Sequence, residues 1–214
     1  MNRQLTVLFT PLLFAVLLFA GCSTTPNVRF YTLSSDSTPE SLAASYGKAS
    51  YSVAVGPVTV PDYVDQPQLV VRVSANEVRV EEFNRWAEPL ESQIPRVIAA
   101  NLERELDSAR VITLNQSGGL DADFRVGVDV QRFDLVLGGA VTVGVDWTVR
   151  RFGGGEFKDG QSVVREPTGS DGYEALVAAL SRAFERVSRD IAQAVRAAAA
   201  TAHGAQFSLL NKNQ

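Results

Sequence analysis

FRVGVDVQRFDLVLGGAVTVGVDWTVRRF, residues Phe124–Phe152, is the stretch on which the fold turns. Its apolar side chains fall on even positions (124, 126, 128, 130) and then on odd ones (133, 135, 137). Strand side chains alternate with a period of two, so a change of parity turns the core face outward unless one residue is absorbed. A bulge near Gln131-Arg132 is therefore expected. Beyond the glycines the odd phase continues through Val141, Val143, Val145, Trp147 and Val149. Odd positions on both sides of the turn predict a three-residue loop, Gly138–Ala140, that pairs Leu137 with Val141 and Leu135 with Val143. Trp147 lies on the apolar phase and is expected in the core. The ribbon turns again at Gly153–Gly155 and returns as a short strand, Gln161–Arg165.

Upstream, Val111–Leu114 reads as a short strand, followed by a loop over 115–122. Leu90, Ile94, Val97, Ile98, Leu102 and Leu106 trace one helical face. Pro89 suits the first helical position, and Pro95 is expected to kink this helix or confine its regular part to Arg96–Leu106. Leu69–Val73 and Val78–Phe83 read as a hairpin turning at Ala75-Asn76, with Val73 opposite Val78 and Val71 opposite Val80. In Tyr51–Val60 the phase slips at Gly56-Pro57, which places the proline at a bulge or a sheet edge. Pro61–Gln68 is a loop, Arg29–Leu33 a first strand, and 34–50 a loop. Downstream, Asp171 with Glu174 resembles a capping box. Leu180, Phe184, Val187, Ile191, Ala194 and Ala198 then form one stripe on a helix of about 25 residues, spaced to pack on the sheet or against another subunit's helix. Strands, helix, strands, helix in that order predict an α+β fold: a mainly antiparallel or mixed sheet with two helices packed on it.

The N-terminus carries a different signal. Arg3 precedes an uncharged run, Leu5 to Ala20, and then Gly21 and the only cysteine, Cys22. A charged start, an apolar stretch and small residues before a cut describe a secretory signal. Phe19-Ala20-Gly21-Cys22 resembles a bacterial lipobox, with Phe19 where leucine is usual. An ordinary cleaved signal and a retained anchor are the alternatives. The run holds Pro11, lacks a basic flank after it, and is shorter than the roughly 20 apolar residues a membrane span needs. The lipobox reading makes 1–21 a signal peptide, Cys22 the lipidated first residue bearing a diacylglycerol and an acyl chain, and 22–28 a tether. One domain then covers 29–200, and 201–214 forms a loose tail. Ser23 after the cysteine resembles an outer-membrane address. The mature chain of 193 residues carries 19 basic and 24 acidic side chains. That acidic balance gives no case for nucleic-acid binding. With Cys22 acylated no thiol remains for a disulfide, in keeping with an oxidising periplasm.

Catalytic patterns are missing from the reading. The one histidine, His203, lies in the expected tail, so no Ser-His-Asp or Cys-His arrangement is available. The usual zinc ligands are lacking, and Gly153-Gly154-Gly155 has neither the Lys-Ser/Thr nor the helix of a phosphate loop. Glu81-Glu82 and Asp121/Asp123 read as solvated surface; a carboxylate pair brought together from distant segments is left open. The expectation is therefore no catalytic residue, no metal and no cofactor. Arg85-Trp86 stands at a strand–helix junction, where the indole either packs under the helix start or, with Arg85, forms an interface.

Several segments carry a resemblance. Phe30-Tyr31-Thr32-Leu33, Val53–Val58, Pro61-Asp62-Tyr63-Val64-Asp65 and Gln66–Arg72 are similar to the ABC-type transport auxiliary lipoprotein family. Arg85-Trp86-Ala87-Glu88-Pro89-Leu90 is the clearest match, and Val130–Asp134 leading to Trp147 a weaker one. Together they span about residues 22–195. The resemblance implies a non-enzymatic outer-membrane lipoprotein with its domain facing the periplasm. It would dock an MCE-type protein and its inner-membrane transporter subunit in lipid transport between membranes, with a ring-shaped homo-oligomer as one arrangement. The competing expectation is a lipoprotein activator of a periplasmic cell-wall enzyme, with an anchored hydrolase third.

Overall fold

The computed structural model describes residues 26–35, 49–106, 108–114, 121–154 and 157–212. The expected signal peptide, Cys22 and most of the expected tether lie outside them. Among the described residues eight strands and two helices follow in order: β1 (Arg29–Tyr31), β2 (Tyr51–Thr59), β3 (Gln68–Arg72), β4 (Val78–Trp86), α1 (Leu90–Glu105), β5 (Ala109–Thr113), β6 (Phe124–Leu135), β7 (Ala140–Arg151), β8 (Phe157–Pro167) and α2 (Tyr173–Lys212). The class is α+β, but the strands form two sheets instead of one. Five run in the order β5-β2-β6-β7-β8 and three in the order β1-β4-β3. Both are mixed: β2 is parallel to β5 and β6, and β1 is parallel to β4.

The Phe124–Phe152 ribbon is the spine of the larger sheet. Its register breaks between Val130 and Arg132, so Gln131 is the absorbed residue, at the expected place. The turn differs from the expectation: Leu135 pairs with Val141 and Phe133 with Val143. The loop is moved back one residue, to 137–139, closed by Val136 N–H donating to the Ala140 carbonyl at 3.1 Å. Parity survives the move, so the odd positions still share the buried face, while Leu137 is left 37% exposed at the turn. Trp147 is half-buried against the core. It lies over Gly160, where an added Cβ would meet the indole at 2.3 Å.

β2 is interior, and Val53, Ala54 and Val55 are all fully buried, as a strand covered on both faces must be. Its register with β6 shifts between Val55 and Val58, so Pro57 occupies a bulge and not an edge. Both helices cover one face of the large sheet. α1 runs unbroken through Pro95, so its regular part is not confined to Arg96–Leu106. The proline removes only the bond to Glu91, and Ile94, Ile98 and Leu102, all fully buried, hold the helix by packing. Pro89 stands one position before the first helical residue.

The α2 stripe is buried at Leu180, Phe184, Val187, Ile191 and Ala198, widened by Leu176, Ala183, Ala192 and Val195. This chain's own sheet and α1 therefore occupy it. The helix begins at Tyr173, one residue later than a 171/174 capping box requires, and Asp171 lies instead against the turn at Gly138. The helix also continues to Lys212, so the loose tail expected from Thr201 is helical there. Alanines at 197–200 sustain it by propensity after the apolar stripe ends.

The β3–β4 hairpin is offset by one residue from the expected register: Arg72 pairs with Val78 and Val71 with Arg79. Val73 and Ser74 N–H both reach the Glu77 carbonyl, making a three-residue turn. The Arg72 guanidinium closes it by donating to the Ala75 carbonyl at 3.2 Å. The turn therefore has a side-chain cap that local turn chemistry does not reveal.

Candidate docking surface

Arg85-Trp86-Ala87-Glu88-Pro89-Leu90 works as a clasp. Its first two residues end β4 and its last opens α1. Trp86 N–H donates to the Pro67 carbonyl at 2.7 Å, and Ala87 N–H to the Tyr31 carbonyl at 2.9 Å. Gln93, one turn into α1, accepts from Leu33 N–H at 2.8 Å and donates to the Glu88 carbonyl at 2.6 Å. Tyr31 Oη donates to Asn84 Oδ1 at 3.1 Å, and Arg96 holds the Glu88 carboxylate at 2.5 Å. Three segments distant in sequence, 31–35, 61–68 and 84–93, are tied together here. The Trp86 ring is only 4% exposed. It therefore packs under the helix start, and its burial leaves little of it for any partner. Asp65, Pro67, Trp86, Ala87 and Pro89 frame a cleft of about 250 Å³ there. Arg85, half-exposed, donates to the Glu82 carbonyl at 3.0 Å.

A larger groove, about 820 Å³, lies between β1 and the start of α2, lined among others by Phe30, Tyr31, Tyr173 and Val177. Phe30 stands 65% exposed at its rim. The Tyr31 and Tyr173 rings meet at 6.3 Å. Burial pushes the Tyr173 phenol up, and its hydrogen bond with Glu81 pushes the same way. Glu81, expected as solvated surface, is thus engaged with Tyr173 and with Arg79 at 2.7 Å.

The other carboxylates are structural too. Asp123 Oδ2 accepts from Ser52 N–H and Oγ at 2.8 and 2.7 Å, fastening the start of β6 to β2. Asp134, 6% exposed, holds both Arg72 and Arg132 and so links the two sheets. Its hydrogen bond holds the Arg72 guanidinium above its usual range. Glu166, also buried, holds Arg186 and lies 3.8 Å from Arg182 of α2. Sequence reading missed both arginine clamps; each strand carries two acids, and nothing local tells the clamped one from the other. Among the described residues no group of three or more His, Cys, Asp or Glu is placed to hold a metal. No described helix is long and apolar enough to cross a membrane. His203 falls on the C-terminal part of α2. Cys22 lies outside the described residues.

Two mixed sheets joined by a buried aspartate that Arg72 clasps, two helices on one face of the larger sheet and an N-terminal strand at the edge of the smaller one define the class, a small α+β domain. Residues 31–192 match the ABC-type transport auxiliary lipoprotein component family, and the chain belongs to it. It is 26% identical over 189 residues to the intermembrane transport lipoprotein PqiC of Escherichia coli K12, covering 85% of this chain and 94% of PqiC. The Shigella flexneri PqiC matches to the same extent. Two crystal structures share the fold. One, of an uncharacterized protein, is 24% identical with a TM-score of 0.66 over 79% of this chain and 99% of its own. The other, from Xanthomonas campestris, is 18% identical with a TM-score of 0.59 over 76% and 92%.

Proposed function

We propose that this chain is an outer-membrane lipoprotein, held through acyl groups on Cys22 with its domain in the periplasm. It serves as the non-enzymatic docking component of an MCE-type system that carries lipid between the membranes and maintains envelope integrity. The observation that carries this reading is the extent of the family match. It runs from β1 into α2 and takes in the clasp, both sheets and both helices. The name of the Escherichia coli relative, intermembrane transport lipoprotein, supports the transport role. The part-exposed Arg85 and the cleft over Trp86 offer a surface for the docked protein, and a ring of copies is one way to present many such surfaces.

Crosslinking followed by pull-down of the lipidated protein tests the docking role. Recovery of an MCE-domain protein is the expected result. Recovery of none sinks the docking idea, and recovery of a cell-wall synthase in its place favours the activator reading. The anchor is tested separately by Cys22→Ala with membrane fractionation. The variant should leave the outer-membrane fraction, and retention there overturns the lipid anchor.

A further inference from the structure

The anchor and the small sheet are linked by chain direction. β1 runs parallel to β4, with Arg29 beside Asn84. The chain preceding β1 therefore enters from the side toward which the β3–β4 turn points. Val78 lies six residues before Asn84 on β4, up to about 20 Å away along the strand. Cys22 lies seven residues before Arg29, so the tether spans at most about 25 Å when fully extended. An acylated Cys22 thus brings a membrane surface within the distance over which the hairpin end projects.

That end is unusual in this molecule. Residues 73–80 are exposed without interruption. Val73, Val78 and Val80 stand 48%, 40% and 41% open. Val78 and Val80 share one face, and Val73, opposite Glu77, lies on the other. β1 covers only Asn84–Trp86 of β4. Among the described residues no strand pairs the same edge over Val78–Phe83, and Phe83 is 43% exposed. The turn's backbone is partly satisfied from within, by the Arg72 bond to the Ala75 carbonyl. Internal satisfaction lowers the cost of bringing a turn into a less polar phase. Arg79 is tied to Glu81, leaving Glu77 as the acidic side chain at the tip.

We propose that the end of the β3–β4 hairpin lies in the headgroup layer of the membrane that holds Cys22. The chain then touches the bilayer at two points, the lipid and the hairpin. A single lipid attachment fixes no orientation; a second contact does, and it sets which end of the domain faces the periplasm. This inference rests on the lipid-anchor reading above.

Acylation of the only cysteine leaves a single introduced thiol free to carry a nitroxide. The test uses the full-length, processed lipoprotein in vesicles of phosphatidylethanolamine and phosphatidylglycerol. Val78→Cys is labelled at the hairpin, and Val163→Cys, 65% exposed on β8, serves as control. Relative to the control, the label at 78 should show a severalfold loss of access to a water-soluble nickel chelate while keeping access to oxygen. Adding Val80→Asp to the V78C chain should restore nickel access without loss of co-flotation. Two outcomes overturn the inference while the anchor stands: equal nickel access at 78 and 163, or shielding at 78 from both reagents, which marks a protein contact such as a second copy. Failure of the Cys22-containing protein to float with vesicles overturns the anchor and the hairpin contact together.

Discussion

Valine-rich strands build both sheets, and their side chains meet opposite fates. In the five-stranded sheet Val126, Val141, Val143, Val145 and Val149 are fully buried. At the hairpin end of the three-stranded sheet Val73, Val78 and Val80 are close to half open, while Val70 and Val71 further along it are buried. Strand propensity is alike in both. The difference is cover: α1 and α2 both lie on the larger sheet, and among the described residues no helix lies over the outer end of the smaller one. Alternating valines therefore identify a strand, and only the placement of the helices decides whether its apolar face becomes core.

The comparison predicts where substitutions hurt. The largest effect belongs to the seam between α2 and the large sheet. Phe184 is fully buried there, and removing such a ring costs lost transfer energy plus the cavity left behind. Phe184→Ala should lower stability by about 3–5 kcal/mol, read from urea denaturation midpoints. A small change would mean the helix is less integral to the core than its burial indicates.

Next comes the contact of Trp147 with Gly160. An added methyl at 160 meets the indole well inside contact distance, and the ring is also held by Nε1 donating to Ser162 Oγ at 3.0 Å. Ser162 in turn donates to Asp190 on α2 at 2.6 Å. Overpacking of this kind costs about 1–3 kcal/mol. Gly160→Ala should therefore destabilise to that degree and shift the tryptophan emission.

What could be read from the sequence follows the same divide. The bulge at Gln131 and the α2 stripe were legible because each is a local phase in an apolar pattern. The family segments were legible because they are linear. Division into two sheets was not, because β2 pairs in parallel with β5 and β6, and such pairing leaves no turn between partners. The Arg72–Asp134 clamp joins residues 62 apart, and nothing local marks either as buried. Hairpin registers were each displaced by side-chain or backbone bonds at the turn that periodicity cannot report. Of the functional reading, Cys22 rests on the sequence motif alone, while the packing role of Trp86 needed Pro67 and Tyr31 to be seen beside it.

Glu103 offers a smaller, pH-dependent effect on the well-covered side of the molecule. Burial on α1 pushes its carboxyl above the usual carboxylate range, and Oε1 has no hydrogen-bond partner. A carboxyl with a raised pKa in the fold favours the native state below its unfolded pKa, and that advantage is lost as pH rises through the folded value. Ionised Glu103 is thus a cost at neutral pH. Glu103→Gln should raise the urea midpoint at neutral pH, and the gain should vanish on acidification below the ordinary carboxylate range.

The smallest effect is the most informative about the open sheet. Val70 and Val80 face one another across β3 and β4, yet Val70 is 4% exposed and Val80 41%. A hydroxyl placed at 80 keeps its water, and the β-branched shape that suits a strand is retained. Val80→Thr should then leave the urea midpoint within about 0.5 kcal/mol of the parent. If it destabilises the soluble domain clearly, the hairpin end is packed in solution and the contrast between the sheets fails. If stability is unchanged, the exposed valines at the hairpin end are not needed for the fold.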